Sequence, residues 1–394
     1  MRIFIASFAC KRLLLFVFLL SLAGMVFAVD VEIKAPHFSG GGAEIQGFLD
    51  EINGQLGTFF DEYAGLISSD IDNFLPGSFN NLAGAFANAS VFSSDGASQR
   101  GYEGYKTFSF TAGFMGALQF PKQFTLLDEI MDAIKGGEGE IGFFDDKDKL
   151  DIGIGLDIKA LNAQFGINTS KFLLKGLYFG FKFSMFETNW IKAIAAYFPD
   201  FSFKTMSVGI NTSYQLISQK RLLLGLFVWR GLNLSAGFTW QKTSFELTSA
   251  LPIDEELLNF QFEGITMPFT EVMRFGINTN TYIIPVEAMT SIRLLGFLNV
   301  ALGAGVDIAF GSSNINAHGS LDVGEITGLP PDVIMDTPPI LRLSLGGKSA
   351  PSIFNPKAMG AVGFNFGPVI IDIPVTYYFL DNGYSLGVTF GFTF

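Results

Sequence analysis

Two histidines and one acidic run are the groups whose types could do chemistry in this chain. His318-Gly319-Ser320-Leu321-Asp322 places a base, a hydroxyl and a carboxylate in one short segment, the ingredients of a nucleophilic relay. On a strand the three share a face, but side chains about 7 Å apart cannot hand a proton along hydrogen bonds. His37 has no carboxylate or nucleophile pattern around it in sequence. Asp145, Asp146, Asp148 and Asp151 lack the glycine and closing glutamate of a helix-loop-helix calcium loop and read as a solvated charge run. Gly40-Gly41-Gly42 has no following lysine and no preceding strand, so it reads as a hinge rather than a phosphate loop. The single cysteine, Cys10, lies in a segment expected to be removed. The expectation is therefore a non-enzyme with no cofactor, no metal and no thiol chemistry.

The elements around these groups carry the stronger signal. Arg2, Lys11 and Arg12 precede an uncharged apolar run from Leu13 to Phe27, and Val26-Phe27-Ala28 suits a signal peptidase, so residues 1–28 are expected to be a signal peptide. Taking those three cations from the 25 Lys and Arg leaves 22 against 37 Asp and Glu, a formal charge of −15 that disfavours nucleic acid. Mean hydropathy is +0.38, yet charges, Pro76 and Gly77 interrupt every apolar stretch long enough to span a membrane as a helix. With 45 Phe and 45 Gly, the apolar residues must be disposed in another way.

At the C-terminus Tyr384, Leu386, Val388, Phe390, Phe392 and Phe394 alternate with Ser385, Gly387, Thr389, Gly391 and Thr393. One face is apolar and the other small and polar, the period of a strand between two different media. The pattern recurs in Ile152–Ile158, Leu177–Met185, Leu234–Trp240, Leu298–Phe310 and Val369–Phe379, and several runs last for about 10 residues against the 5 to 6 usual in soluble sheets. A sheet in lipid must close, because unpaired edge groups cost several kcal/mol each. At about 20 residues per strand and connection, residues 104–394 are expected to form an all-β antiparallel transmembrane barrel of about fourteen strands, within a range of 12 to 16. The run Lys122–Lys149 and the proline-rich Leu329–Pro339 read as external loops.

Residues 29–103 read differently. Ile45, Phe48, Leu49, Ile52, Leu56, Phe59, Phe60, Tyr63, Leu66 and Ile67 fall at helical spacing, with Glu44, Asp50, Glu51, Asp61 and Glu62 opposite. After Leu75-Pro76-Gly77 comes a second apolar set, Phe79, Leu82, Ala83 and Phe86. This segment is expected to be a helical plug in the lumen, with Phe59, Phe60, Phe74, Phe79 and Phe86 as ligand-binding candidates lining an apolar path.

This layout, together with Phe79-Asn80-Asn81-Leu82-Ala83-Gly84-Ala85-Phe86-Ala87-Asn88-Ala89, resembles the FadL family of outer-membrane long-chain fatty-acid transporters, in its spirochaete version. The segment sits where that family carries an Asn-Pro-Ala-Ala type motif, here without the proline. The resemblance implies a bacterial outer-membrane location, membrane lipids and a hydrophobic small molecule as partners, and passive uptake gated by the plug. The terminal Phe394 resembles the strand signal read by the outer-membrane assembly machinery. The competing expectations are a general porin for small hydrophilic solutes and a surface-exposed adhesin or structural barrel.

Overall fold

The computed structural model describes residues 29–41, 45–72, 77–94, 107–120, 154–169, 174–190, 200–222, 226–249, 259–262, 265–323, 326–328, 332–337 and 340–394, and counts of elements are of these residues. The expected signal segment, 1–28, and the acidic run at 145–151 lie outside them. Strands β1 (Val29–Lys34) and β2 (His37–Gly40) precede helices α1 (Gln46–Asp72) and α2 (Gly77–Phe92). Then follow β3 (Phe108–Gln119), β4 (Gly155–Asn168), β5 (Leu177–Glu187), β6 (Phe201–Ile217), β7 (Lys220–Leu222), β8 (Phe227–Ser249), β9 (Asn259–Phe262), β10 (Ile265–Leu294) and β11 (Leu298–Val323). The last five are β12 (Val333–Thr337), β13 (Ile340–Ser349), β14 (Phe354–Phe366), β15 (Val369–Tyr378) and β16 (Gly383–Thr393).

The pairing closes on itself. Going round in the order β10, β11, β14, β15, β16, β3, β4, β5, β6, β8 and back to β10, every neighbour is antiparallel, so ten strands form the barrel with no free edge. The far half of β11 leaves β14 and pairs with β13, which in turn pairs with β1. The expected count of about fourteen spanning strands is thus corrected to ten in the closed ring. The reason is strand length: β8, β10 and β11 run for 23, 30 and 26 residues, so fewer strands use up the chain.

One end of the ring carries tight connections. Gly367, at φ 66°, and Pro368 join β14 to β15, and Leu295-Gly296-Phe297, with Leu295 at φ 52° and Gly296 at φ 81°, join β10 to β11. Positive φ suits the twist of a hairpin turn, and glycine adopts it without steric cost. The opposite end carries long connections, between β3 and β4 and between β11 and β14 among others. The proline-rich stretch read as an external loop contains β12, which pairs with β2 apart from the ring; a short edge strand tolerates prolines at its flanks.

The alternation places polarity inside. In β16 the buried residues are Ser385, Gly387, Thr389, Gly391 and Thr393, while Leu386, Val388, Phe390 and Phe392 are exposed. Phe108, Phe110, Phe114, Phe165, Phe179, Phe181, Phe238 and Phe310 are likewise exposed on the outer surface. At Gly231, φ 79°, a bulge in β8 resets the parity, so that Trp229 and Trp240 both point outward. Their indole N–H groups donate to Thr290 Oγ1 and Asn280 Oδ1, each at 2.7 Å. With one residue spent in the bulge, the two tryptophans stand about 33 Å apart along the strand. A tilt of about 40° reduces this to about 25 Å, the height of a lipid-facing band.

Beyond Trp240 the polarity inverts. Lys242, Glu246, Arg274, Asn278, Asn280, Asn314, Asn316 and His318 are exposed outside, whereas Phe245, Phe275, Ile277, Ile315 and Ala317 are buried inside. The strands keep their period of two and exchange which face is apolar.

Helix α2 lies within the ring, touching β3, β4, β8, β10, β11, β13 and β16. Its sequence explains the position. Ala83, Ala85, Ala87 and Ala89 favour the helix and keep it thin, and residues 87–92 are buried on every side, whereas Asn80 and Asn81 at its start are exposed. Sixteen residues give a rod about 24 Å long, which reaches from the residues around Phe275 and Ile277 to the level of Trp240 and Tyr282. Helix α1 behaves otherwise: Leu49, Ile52, Leu56 and Phe60 form a cluster with Phe38 and Val333, on β2 and β12.

Candidate functional site

The interior has three layers, each built by residues far apart in sequence. At the long-connection end Phe186, Phe203, Phe245 and Phe275 converge with Ile277, Ile315 and Ala317 to line an apolar chamber. Phe245 meets Phe275 edge-on at 6.0 Å and Phe201 at 5.3 Å between ring centroids. The chamber is filled from inside by Phe79, Leu82 and Ala83 of α2, with Phe86 packed against it.

The second layer seats the other end of the helix. Asp157, buried on β4, accepts hydrogen bonds from Ser93, Gln241 and, at 3.1 Å, Thr243. Lys159 Nζ donates to the Ser93 carbonyl at 2.7 Å, placing a cation at the carboxyl end of the helix, where orphan carbonyls and the helix dipole favour one. Ser90 Oγ and Thr281 Oγ1 lie 2.8 Å apart. The Phe92 ring stacks on Tyr378 with centroids 4.1 Å apart.

The third layer is an ion triad. Lys357 Nζ is 2.7 Å from Glu287 Oε1 and 2.8 Å from Asp307 Oδ1. Tyr378 Oη donates to Asp307 Oδ2 at 3.0 Å and Ser235 Oγ to Glu287 Oε2 at 3.0 Å. Tyr378 therefore joins the triad to the stacked Phe92.

Of the sequence candidates, Phe79 and Phe86 lie at the chamber, whereas Phe60 sits in the separate α1 cluster. Phe74 and the side chain of Phe59 lie outside the described residues. Sequence reasoning missed Phe186, Phe203, Phe245 and Phe275, and also Asp157, Lys159, Glu287, Asp307 and Lys357. A signal was present, because Asp157 and Lys159 sit on the small, polar face of an alternating strand, where a charge must point inward. His318 is exposed opposite Arg274. Among the described residues no three His, Cys, Asp or Glu side chains gather as a metal set.

His37 has a partner that its sequence neighbourhood hid. Its Nδ1 is 2.9 Å from Asp336 Oδ1, clasping β2 to β12, and that hydrogen bond holds the Asp336 carboxyl below its ordinary 3.8. A carboxylate lowered on folding lends stability that is complete above its unfolded value and is lost as pH falls through the folded one. Hydrogen exchange around Phe38, corrected for intrinsic rates, is expected to loosen as pH falls through and below the ordinary carboxylate range, and Asp336→Asn should abolish that difference.

These features define an antiparallel β-barrel with an apolar outer band, a polar lumen and a helix inside it. The chain belongs to the Lsa36-like family, whose model matches residues 48–394. Among solved structures it is similar to the translocator domain of autotransporter NalP from Neisseria meningitidis, at 8% identity and a TM-score of 0.26 over 73% of this chain and 89% of that one. It is also similar to the Ralstonia pickettii toluene transporter TbuX, at 10% identity and a TM-score of 0.24 over 80% and 99% of the two chains. The monoaromatic hydrocarbon channel CymD gives 10% identity and a TM-score of 0.24 over 80% and 98%. No curated protein shows significant similarity. The family shown is Lsa36-like, so the resemblance to FadL is one of layout.

Proposed function

We propose that the protein is a non-enzymatic channel of a bacterial outer membrane for passive uptake of long-chain fatty acids or similar hydrophobic molecules, gated by α2. The observation that carries this reading is the phenylalanine-lined chamber at the long-connection end, occupied by the helix's own Phe79 and Leu82. An apolar molecule that displaced those side chains would find a dry, preformed site, and shape rather than charge would select it. The exposed apolar band supports insertion in lipid, since so many outward Phe and Leu residues would be costly in water. The long connections and the chamber on this reading face the cell surface, and the tight turns face the periplasm, the usual disposition of such barrels. On this reading residues 1–28 direct export and are cleaved, and the strand ending at Phe394 is presented to the outer-membrane assembly machinery.

A labelled long-chain fatty acid should bind the purified protein and enter liposomes that contain it. Phe245→Ala should weaken binding about tenfold, the worth of one largely buried aromatic side chain. Absence of binding by the unaltered protein would overturn the proposal. One feature favours a second reading, a surface barrel without transport: Ser90, Ser93 and Phe92 are held to the lumen wall by Thr281, Asp157 and Tyr378. That reading requires both fatty-acid binding and bilayer conductance to be absent.

A further inference from the structure

The outer surface just beyond the apolar band carries charge of the opposite sign to the chain as a whole. Val208, Trp240, Tyr282 and Phe310 form one row across β6, β8, β10 and β11. The next outward-facing row toward the long connections is Met206, Lys242, Asn280 and Ser312. The row after that is Lys204, Ser244, Asn278, Asn314 and Lys348, reaching β13. Arg274 and His318 pair two rows further on. Lys204, Lys242, Arg274 and Lys348 are all exposed, and so are Asn278, Asn280, Asn314, Asn316 and His318. Against these four cations stand, among the residues whose side chains are described, the exposed Glu246, the exposed Asp200 in the row of Arg274 and, at 3.9 Å from Lys204, Glu187. The full chain has a net charge of −12, so the two rows next to Trp240, with Lys242, Lys204 and Lys348 against Glu187, are a cationic, amide-rich local exception.

Its height is its second property. Successive rows along a strand are about 6.6 Å apart, so Lys242 and Lys204 stand one and two steps above the aromatic row. If the apolar band is immersed in lipid, those ammonium groups meet the phosphate level of the adjoining leaflet. A lysine there keeps its stem against acyl chains and its head among the phosphates, while the asparagine amides donate to phosphate oxygens.

Building on the membrane reading, we propose that this band is a docking surface for the phosphate-bearing headgroups of anionic lipid in the leaflet at the long-connection end. The occupant is a lipid rather than an acidic protein, because the cations are continuous with the lipid-facing row and spread along the sheet instead of lining a cleft. Each cation near an anionic surface strengthens attraction about fivefold at low ionic strength, less where a carboxylate is close.

The test uses the full-length protein in detergent micelles supplied with equimolar phosphatidylglycerol and phosphatidylcholine, read by native mass spectrometry. Unaltered protein should retain phosphatidylglycerol about tenfold over phosphatidylcholine, a preference that about 1 M salt removes. The combined variant Lys204→Gln, Lys242→Gln, Arg274→Gln and Lys348→Gln should bring the ratio within about twofold. Lys220→Gln with Arg221→Gln, exposed cations at the tight-turn end, should leave it unchanged. No preference in the unaltered protein, or a preference that survives the fourfold change, overturns the docking surface. Flotation of each protein with phosphatidylcholine vesicles separates this from the membrane reading, which fails only if the unaltered barrel does not insert.

Discussion

Lys357→Ala should destabilise the barrel by about 3–5 kcal/mol, the cost of leaving buried charge without its partner. Lys357 has no solvent-exposed side-chain area and is the cation common to Glu287 and Asp307, of which Asp307 is also fully buried. Without the ammonium, Asp307 keeps the Tyr378 hydroxyl and Glu287 keeps Ser235, neutral donors that do not cancel the carboxylate charges. One of those carboxylates must then take up a proton or draw in water, and either disturbs the Tyr378 ring on which Phe92 is stacked. A urea midpoint measured in detergent reads the loss. Combining Lys357→Met with Glu287→Gln and Asp307→Asn should recover most of it, because removing the whole triad leaves no isolated charge. If Lys357→Ala alone matches the unaltered midpoint, the triad is not structural.

The second large effect is expected at Gly155. A Cβ at this position would overlap the Ala85 carbonyl of α2, a backbone group that cannot turn aside. Gly155→Leu must therefore push α2 away from β4 or bend β4 itself, at a cost of about 1–3 kcal/mol or more. Undocking breaks the contacts of Ser93 and Lys159 together, since the helix moves as a rigid rod. Protease cleavage within 77–92 should rise at least tenfold, about the change that 1.4 kcal/mol makes in an opening equilibrium, and bilayer conductance should appear if α2 is the gate. Gly57→Ala is the matching control. Nothing lies within 4 Å of the site on α1, and alanine should strengthen that helix by about 1 kcal/mol without touching the lumen. Equal protease resistance of the Gly155→Leu and unaltered proteins would sink the tight-seat account of α2.

Much of the architecture was legible because alternation is a local property. Tyr384 to Phe394 announces a two-faced strand whatever surrounds it, and the spacing from Leu49 to Phe60 announces a helix with one apolar face. Strand number was not legible, since the period does not show where a strand leaves the apolar band. β10 is one strand in which the apolar residues change parity, odd at Phe275 and Ile277 and even from Tyr282 to Ile292, so its apolar side faces the chamber at one end and the outer surface at the other. The candidate site was less legible still. Ser93 and Asp157 are 64 residues apart, and Tyr378 and Asp307 are 71 apart, so no window along the chain holds either pair. Two helices of similar appearance also met different fates, α2 inside the ring and α1 against β2 and β12.

By itself, then, the order of residues determined which segments are strands and helices and that every strand has two unlike faces, because these depend on backbone geometry and near neighbours. Closure of the sheet alone decided that the polar face points inward over the apolar band, that ten strands complete the ring, and that Asp157, Asp307 and Lys357 find their partners. A cylinder has one inside, and only long-range pairing brings distant residues to share it.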